Sequence, residues 1–175
     1  MESKLYMGID VGSKGFISTQ KDGVWAHYSI EDNDLYQLSK IMQEIRRENA
    51  QIACVIEDVH SIYGSSAKST FAFGFNKGYL IGLLAANEIP YTLIQPKTWQ
   101  QEMWGNADMV VTYKKVKRKD KEVVQKEVNT KQTSINACKR LFPTLDLRKS
   151  ERCTKIDDNK TDSILMCEYA RRKNF

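Results

Sequence analysis

The chain has 175 residues, a length that suits one domain with a hydrophobic core of its own. Hydrophobic residues make up 41% of the chain and only 3 residues are proline, which argues against intrinsic disorder. No apolar run approaches the roughly 20 residues that cross a bilayer, and the N-terminus lacks the apolar segment of a signal peptide, so we expect a soluble, intracellular protein without a membrane partner.

The first third of the chain predicts an antiparallel meander of three strands. Residues 5–10 form an apolar run, and Gly12 and Gly15 mark a tight turn into a second strand over 16–20. The dipeptide Asp22-Gly23 is typical of a β-hairpin turn, and it leads into a third strand over 24–29.

The next segments predict a β-α-β arrangement. A helical pattern covers 33–48, with Asp32 or Asn33 as its N-cap. A strand over 52–57, a helix over 69–87 and a strand over 91–95 follow. A right-handed crossover would place strands 5–10 and 52–57 side by side and parallel, with their C-terminal ends at one edge of the sheet.

The last part of the chain is mainly helical in pattern. Helices are predicted over 97–104, 129–141 and 159–173. The polar, basic stretch 107–128 between them is predicted to be a mobile loop. Because there is neither an internal repeat nor a change in composition that would mark a boundary, we expect a single domain over residues 1–175.

Four acidic residues stand where these predicted elements begin or end. Asp10 closes the first strand, Glu57 closes the strand 52–57, and Asp158 and Asp162 stand at the start of the last helix. A carboxylate at the end of a buried strand costs free energy unless something pairs with it. Divalent cations are one such partner, and carboxylates around two of them form a phosphodiester-cleaving site.

Cysteine usage does not indicate zinc or redox chemistry, because no Cys-x-x-Cys pair occurs. The four cysteines are Cys54, Cys138, Cys153 and Cys167. Cys54 and Cys167 lie in apolar surroundings, so we predict buried, reduced thiols there. We expect no small-molecule cofactor other than metal ions.

Positive charge is concentrated in one segment. The formal net charge is +5, and the chain reads YKKVKRKDKEVVQK from Tyr113 to Lys126. A run of this kind either contacts DNA phosphates or is a solvated loop, and the sequence leaves both interpretations open.

Other residues could contact nucleic acid near the acidic positions. Lys14 and Lys97 each follow a predicted strand and could hold a phosphate, or they are ordinary surface lysines. Residues 62–74 are rich in hydroxyl and aromatic side chains, of which Tyr63 and Phe71 could stack on unpaired bases; the alternative is a loop and the apolar face of a helix. The candidate DNA-binding residues are Lys14, Tyr63, Ser65, Ser66, Lys68, Phe71, Lys97, Lys114, Lys115, Lys117, Arg118 and Lys119.

Five motifs occur in the order seen in RuvC-type Holliday-junction resolvases. They are GIDVGS at 8–13, IEDVH at 56–60, the run 65–78 leading into a helix, QPKTW at 95–99 and DDNKTDS at 157–163. The similarity spans nearly the whole chain, and PKTW together with the short length resembles the phage and viral branch, which would act in the host cytoplasm. The resemblance implies an α/β, ribonuclease H-like fold, with a central mixed sheet flanked by helices.

The resemblance also implies an activity and a set of metal ligands. It implies a homodimer that cuts four-way DNA junctions with two Mg²⁺ ions per site, which Mn²⁺ can replace. Asp10 would bridge both ions, Glu57 would be the central-strand ligand, and Asp162 would be a ligand from the C-terminal helix. For the fourth ligand, Asp158 is favoured over Asp157 because residues four apart share a helix face, whereas Asp157 could cap the helix.

Three functions remain open at this point. The favoured one is a structure-selective endonuclease, acting on four-way junctions or on other nucleic acids. A sugar-kinase-like relative is possible because GIDVG also resembles a phosphate loop, but 175 residues are few for that two-domain architecture. A non-cleaving branched-DNA-binding module is the third.

We expect the helix over 69–87 to form a dimer interface, and Trp99 and Trp104 to lie in the core or at that interface.

Overall fold

The computed structural model describes residues 3–59, 66–118 and 121–175, and the side chains of 116–118 and 121–123 lie outside that description. Five strands form one mixed sheet: β1 (Leu5–Ile9), β2 (Phe16–Lys21), β3 (Val24–Ser29), β4 (Ile52–Glu57) and β5 (Tyr91–Ile94), in the order β3-β2-β1-β4-β5. The strands β1, β2 and β3 form an antiparallel meander, whereas β1, β4 and β5 are parallel. The predicted parallel pairing of β1 with β4 is therefore confirmed.

In the described ranges five helices accompany the sheet: α1 (Leu35–Glu48), α2 (Ala67–Ala86), α3 (Pro96–Met103), α4 (Thr130–Leu141) and α5 (Asp158–Lys173). A short 3₁₀ turn, Asn106–Asp108, follows α3, and two further strands, β6 (Val111–Arg118) and β7 (Lys121–Val128), form a separate hairpin. In the part of the chain that the structure describes, no helix is both long and apolar enough to span a bilayer.

The sheet is covered on both faces, which gives two apolar clusters. Met7 and Ile9 of β1 pack in the same cluster as residues of α1 and α2, including Leu38 and Leu80. Val55 of β4 belongs to the other cluster, which α3, α4 and α5 complete. Because side chains alternate across a strand, the central strands must be apolar at successive positions, as the sequence of β1 and β4 is.

Helix α5 lies directly on β1. A Cβ atom built on Gly8 would stand 2.2 Å from the carbonyl oxygen of Ser163 and 2.3 Å from the amide nitrogen of Cys167. Only glycine allows this approach. A buried hydrogen bond of 2.6 Å between the hydroxyls of Ser18 and Ser163 fixes the same helix against β2. The cysteines Cys54 and Cys167 are buried and free, as predicted.

The prediction that 107–128 is a loop was wrong, because most of this stretch is the β6–β7 hairpin. Its strands pair antiparallel from Val111 opposite Val128 to Arg118 opposite Lys121. Valine, threonine and tyrosine in this stretch favour strands, but the many lysines between them favoured the interpretation as a loop. The strands pair with each other and make few contacts with the rest of the protein.

The predicted N-cap of the first helix was also wrong. Asp34 caps α1, because its carboxylate accepts a 2.8 Å hydrogen bond from the amide of Gln37, whose side chain accepts one of 2.7 Å in return. This is a capping box. Asp32 pairs instead with Lys149, and Asn33 donates to the carbonyl of Ser29.

Candidate metal centre

Three parts of the fold bring the four acidic residues to one edge of the sheet. Ile9 pairs with Ile56, so Asp10 and Glu57 follow at the C-terminal ends of neighbouring parallel strands. Because α5 crosses β1 at Gly8, its first turns carry Asp158 and Asp162 to the same edge. The backbone amide of Gly12 donates a 3.1 Å hydrogen bond to the carboxylate of Asp10 and fixes its orientation.

The carboxylates in this cluster are electrostatically strained. Burial first, and then the charge of Glu57, raise the pKa of Asp10 to about 7. Burial, with the charges of Asp10 and Glu57 adding to it, raises the pKa of Asp162 well above its ordinary value. Burial also raises the pKa of Glu57. Buried carboxylates of like charge disfavour ionisation unless a cation or a proton neutralises them.

One carboxylate oxygen in the cluster has an unmet hydrogen-bonding capacity. Among the described residues, Oδ1 of Asp162 is buried without a hydrogen-bond partner. A hydrogen bond from Ser134 lowers the pKa of Asp162 and so favours its charged form, against the larger effect of burial. A buried, unsatisfied carboxylate oxygen costs free energy, and a bound cation is one partner that would satisfy it.

The side chains do not converge tightly as they stand. Within residues 3–59, 66–118 and 121–175, no three His, Cys, Asp or Glu side chains lie close enough together to hold an ion. Two of the carboxylates are held by other groups: Nζ of Lys131 lies 2.6 Å from Oδ2 of Asp158, and the indole of Trp99 donates a 3.2 Å hydrogen bond to Glu57. The Lys131 side chain is 72% exposed, so it can leave Asp158 without unpacking the core.

These donors nevertheless fit a hard divalent cation. All four side chains offer carboxylate oxygens, which Mg²⁺ and Mn²⁺ prefer, and they come from three elements that the fold holds together. A cation between them would offset the burial and the repulsion that raise the pKa of Asp10 and would satisfy the free oxygen of Asp162.

Asp157 has a different role from its neighbour. Its carboxylate accepts a 3.0 Å hydrogen bond from the amide of Lys160 and caps α5. Asp158 is the first residue of the helix; both aspartates raise the pKa of Asp10, and Asp158 also raises that of Asp162. The structure thus gives Asp157 the capping role that the sequence left open.

The sequence did not predict that three further residues contact this cluster. Lys131 stands in the first turn of α4, and no motif contains it. Trp99 is fully buried in the core, as one of the two expectations had it, but its indole N–H also reaches Glu57. Ser134 contacts Asp162, and its hydroxyl also accepts a 3.2 Å hydrogen bond from Trp104. Within the sequence, the signal for Trp99 was its place in QPKTW.

The candidate DNA-binding residues are only partly described. Tyr63, Ser65 and Lys119 lie outside the described residues, as do the side chains of Lys117 and Arg118. Residues with exposed side chains are Lys14, Ser66, Lys68, Phe71, Lys97, Lys114 and Lys115. Lys14 follows β1 and Lys97 stands in the first turn of α3, so both lie at the sheet edge that carries the carboxylates.

Comparison with known proteins gives similarity at the level of structure. No protein-family model matches the chain, and no curated protein sequence matches it. RuvC from Thermus thermophilus, solved in complex with a Holliday junction substrate, matches with a TM-score of 0.53 and 10% identity over 97% of this chain and 96% of that one. A second Thermus thermophilus RuvC structure matches with a TM-score of 0.50, 12% identity and the same coverage of both chains.

The chain has the RuvC fold. The predicted fold class is therefore confirmed: a mixed five-stranded sheet flanked by helices, as in ribonuclease H-like proteins. At 10% and 12% identity the similarity shows the fold alone. Placement in the phage and viral branch stays a prediction.

Proposed function

We propose that this chain is a metal-dependent endonuclease that hydrolyses phosphodiester bonds in branched DNA, with four-way junctions as its preferred substrate. The observation that carries the proposal is that Asp10, Glu57 and Asp162 stand at one edge of the RuvC fold, with raised pKa values and an unsatisfied buried oxygen on Asp162. RuvC of the same fold was solved with a Holliday junction substrate, which supports the choice of branched DNA.

The four carboxylates of Asp10, Glu57, Asp158 and Asp162 would hold two Mg²⁺ ions, with Asp10 as the shared ligand; Mn²⁺ would substitute. When bound, such ions lower the pKa of an attacking water and stabilise the oxygen that leaves. Metal binding requires deprotonated ligands, so the raised pKa of Asp10 means that binding near neutral pH releases a proton.

The remaining side chains would orient the ligands and the substrate. The indole of Trp99 fixes one oxygen of Glu57 through its hydrogen bond. The ammonium group of Lys131 forms an ion pair with Asp158. Once Asp158 binds a cation, this ammonium group would stand at the rim of the site as a contact for a DNA phosphate. Lys14 and Lys97 would hold phosphates on either side, because a point charge is enough for that role.

The decisive experiment compares a synthetic four-way junction, a flap and a linear duplex, each with Mg²⁺ and with a chelator. We expect cleavage of the junction only with Mg²⁺ and little cleavage of the linear duplex. Equal cleavage of all three would contradict selectivity for branches and indicate a nuclease of other specificity. Tight junction binding without any cleavage would indicate a DNA-binding module instead.

Two neighbouring aspartates give a matched test of the fourth ligand. We expect Asp158→Asn to lower the rate of junction cleavage at least about 100-fold, since even an outer partner of a metal ligand costs about 10- to 100-fold. Asp157→Asn should leave the rate within a few fold, because asparagine caps helices as well as aspartate does. Cleavage rates at saturating Mg²⁺ measure both. Equal losses in the two variants would remove Asp158 from the proposed ligands.

We propose that two copies of the chain form a homodimer through the exposed face of α2. Phe71 and Phe75 are 76% and 54% exposed, and a Cβ atom built on Gly74, Gly78 or Gly82 would meet nothing within 4 Å. Helical spacing puts these five residues on one face, opposite the buried Leu80 and Leu84. An uncovered apolar face of this kind marks a protein interface, and its glycines would let a second α2 approach closely. Two symmetric copies would supply the two sites that opposed cuts in a junction need.

A charge placed on this face tests the dimer. We expect Phe75→Glu to weaken dimerisation at least about 30-fold, because losing a central aromatic anchor costs about 2 kcal/mol or more. Sedimentation across a concentration series measures the change. Tyr36→Glu on α1 is the matched control, because Tyr36 is also an exposed helical aromatic. A wild-type protein that sediments as a monomer while making paired cuts would exclude the dimer.

A further inference from the structure

A row of three residues runs across the sheet on the face that helix α5 covers. Gly8 of β1 is paired with Ser18 of β2, and Ser18 is paired with His27 of β3. Residues directly opposite each other on neighbouring strands share a face of the sheet, so all three point to the side of α5. Ser18 is fully buried and His27 is half-buried, so both polar side chains need hydrogen-bond partners there.

Three hydrogen bonds link this row to the first turns of α5. Nδ1 of His27 lies 2.9 Å from Oγ of Ser18, which lies 2.6 Å from Oγ of Ser163. The hydroxyl of Ser163 donates a 2.8 Å hydrogen bond to the carbonyl of Lys160. The side chains of His27, Ser18 and Ser163 and the carbonyl of Lys160 are here called the hydrogen-bond chain.

Counting hydrogens gives the hydrogen-bond chain one direction. A carbonyl can only accept, so the single hydrogen of the Ser163 hydroxyl points at Lys160. Ser163 must then accept a hydrogen bond from Ser18. Because this uses the only hydrogen of the Ser18 hydroxyl, Ser18 must accept from the Nδ1–H of His27. The neutral ring therefore carries its hydrogen on Nδ1 and a bare lone pair on Nε2.

The surroundings of the ring agree with this tautomer. Among the described residues, Nε2 of His27 is buried without a hydrogen-bond partner. The opposite direction would put an N–H at this position, and buried N–H groups are left unpaired more rarely than buried acceptors. Burial first, and then the charge of Lys160, lower the pKa of His27 to about 4 against the opposing effect of Asp146, so the ring is neutral near pH 7. Trp25 stacks on the ring, with centroids 5.9 Å apart, and holds its plane.

We propose that Ser18 and His27 are positioning residues for the carboxylates of α5. The hydrogen-bond chain ends on Lys160 and Ser163, and Asp162 lies between these two residues in the same turn of the helix. A rotation of α5 about its axis, or a slide along β1, would break the 2.6 Å bond between the two serines. The same movement would turn Asp162 away from the other carboxylates.

The close contact at Gly8 does not do this by itself. Gly8 sets how near α5 comes to the sheet, because a Cβ atom there would meet the backbone of the helix. A glycine offers no side chain that could fix the rotation of the helix, whereas the directional bond from Ser18 to Ser163 does. The inference rests on the proposed function in taking Asp162 as a metal ligand.

Calorimetric titration with Mn²⁺ measures the placement of the ligands without requiring cleavage. We expect Ser18→Ala to weaken Mn²⁺ binding about 10-fold, the lower end of what a hydrogen-bond partner behind a metal ligand contributes. His27→Leu should also weaken it. The double variant should bind no more weakly than Ser18→Ala alone, because both substitutions break one chain. Losses that multiply in the double variant would overturn the hydrogen-bond chain.

His27→Asn is the rescue variant, because its side-chain amide presents an N–H where Nδ1 stands. It should bind Mn²⁺ within a few fold of the wild-type protein, and binding as weak as that of His27→Leu would overturn the donor role of Nδ1. Nitrogen NMR of the wild-type ring reads the tautomer directly. We expect a protonated Nδ1 and a bare Nε2 near pH 7, and the opposite tautomer would overturn the direction of the chain.

Met42→Ala is the control for a loss of stability alone. Met42 is fully buried on α1, in the apolar cluster on the other face of the sheet, so its truncation leaves a cavity away from α5. At a temperature where every variant is folded, Met42→Ala should bind Mn²⁺ as the wild-type protein does. A loss of affinity as large as that of Ser18→Ala would mean that affinity follows stability, which would overturn the positioning role.

Failure of this inference and failure of the proposed function can be told apart. If the wild-type protein binds Mn²⁺ but cuts no junction, and Ser18→Ala binds the ion more weakly, the positioning role holds and the nuclease proposal fails. If junctions are cut and Ser18→Ala binds Mn²⁺ as the wild-type protein does, the reverse is true. A wild-type protein that binds no Mn²⁺ would overturn both.

Discussion

Asp10→Asn, Glu57→Gln and Asp162→Asn are each expected to lower the rate of junction cleavage by more than about 100-fold while leaving junction binding largely intact. The carboxylates are proposed to hold the ions, whereas lysines such as Lys14 and Lys97 are proposed to hold the phosphates. Single-turnover cleavage in Mg²⁺ and binding in a chelator measure the two effects separately. A variant that cuts at the wild-type rate would take its residue out of the proposed site.

Asp22→Asn is the control for these substitutions. It makes the same chemical change in the β2–β3 turn, where Asp22 has a φ of 51° that asparagine also adopts. We expect wild-type cleavage and wild-type unfolding from it. Calorimetric titration with Mn²⁺ adds a direct reading, in which wild-type protein and Asp22→Asn bind the ion and Asp10→Asn does not.

The raised pKa of Asp10 predicts how the stability of the protein depends on pH. The pKa of Asp10 rises from 3.8 to about 7 on folding, so the folded state binds this proton more tightly than the unfolded state does. The charged carboxylate of Asp10 therefore destabilises the folded state. This loss of stability is absent below pH 3.8 and develops as the pH rises towards 7. Without metal, Asp10→Asn should melt at a higher temperature than the wild-type protein at pH 8, and Mg²⁺ should narrow the difference. A lower melting temperature for Asp10→Asn than for the wild-type protein would contradict the raised pKa of Asp10 in the folded state.

Gly8→Ala is expected to destabilise the protein by more than about 3 kcal/mol, the upper range for overpacking in a core. The added Cβ would meet backbone atoms of Ser163 and Cys167 at 2.2 and 2.3 Å, and backbone cannot rotate away as a side chain can. Since domains are stable by only about 5–15 kcal/mol, we expect little folded protein at 37 °C. Urea unfolding followed by circular dichroism measures the loss.

Gly82→Ala is the matched control for that change. The same methyl group at Gly82 would meet nothing within 4 Å, and alanine favours a helix over glycine by about 1 kcal/mol. At a protein concentration low enough to keep the chain monomeric, we therefore expect a free energy of unfolding equal to the wild-type value or slightly above it. Similar losses at both positions would mean that α5 does not approach β1 as closely as described.

Local pattern was enough to predict most of the elements. The apolar runs of β1 and β4 and the crossover between them predicted that Asp10 and Glu57 would end parallel neighbours, because handedness leaves one arrangement. Helix spacing favoured Asp158 over Asp157 as the fourth ligand, because the fixed period of a helix sets which residues share a face with Asp162. The order of motifs predicted the RuvC fold, although sequence identity to the solved RuvC structures is only 10% and 12%.

The hairpin shows where local pattern misled. Strand-favouring residues in 111–128 alternate with lysines, and the density of charge favoured a loop. The strands form because partners up to 17 residues apart, such as Val111 and Val128, pair across the ribbon. The same pairing decided that Lys114 is neutralised by Glu127, which a list of basic residues cannot show.

The sequence by itself determined the strands of the central sheet and the five helices in their order, the fold class and the four carboxylates as candidates, because these depend on periodicity and on residue type. Only the tertiary structure decided that Lys131 holds Asp158, that Trp99 holds Glu57 and that an oxygen of Asp162 is left without a partner. The first two contacts join residues that are 27 and 42 positions apart in the chain. The burial that raises the pKa of a carboxyl group depends on every element packed around that group. Such quantities arise from packing in three dimensions, so no local pattern encodes them.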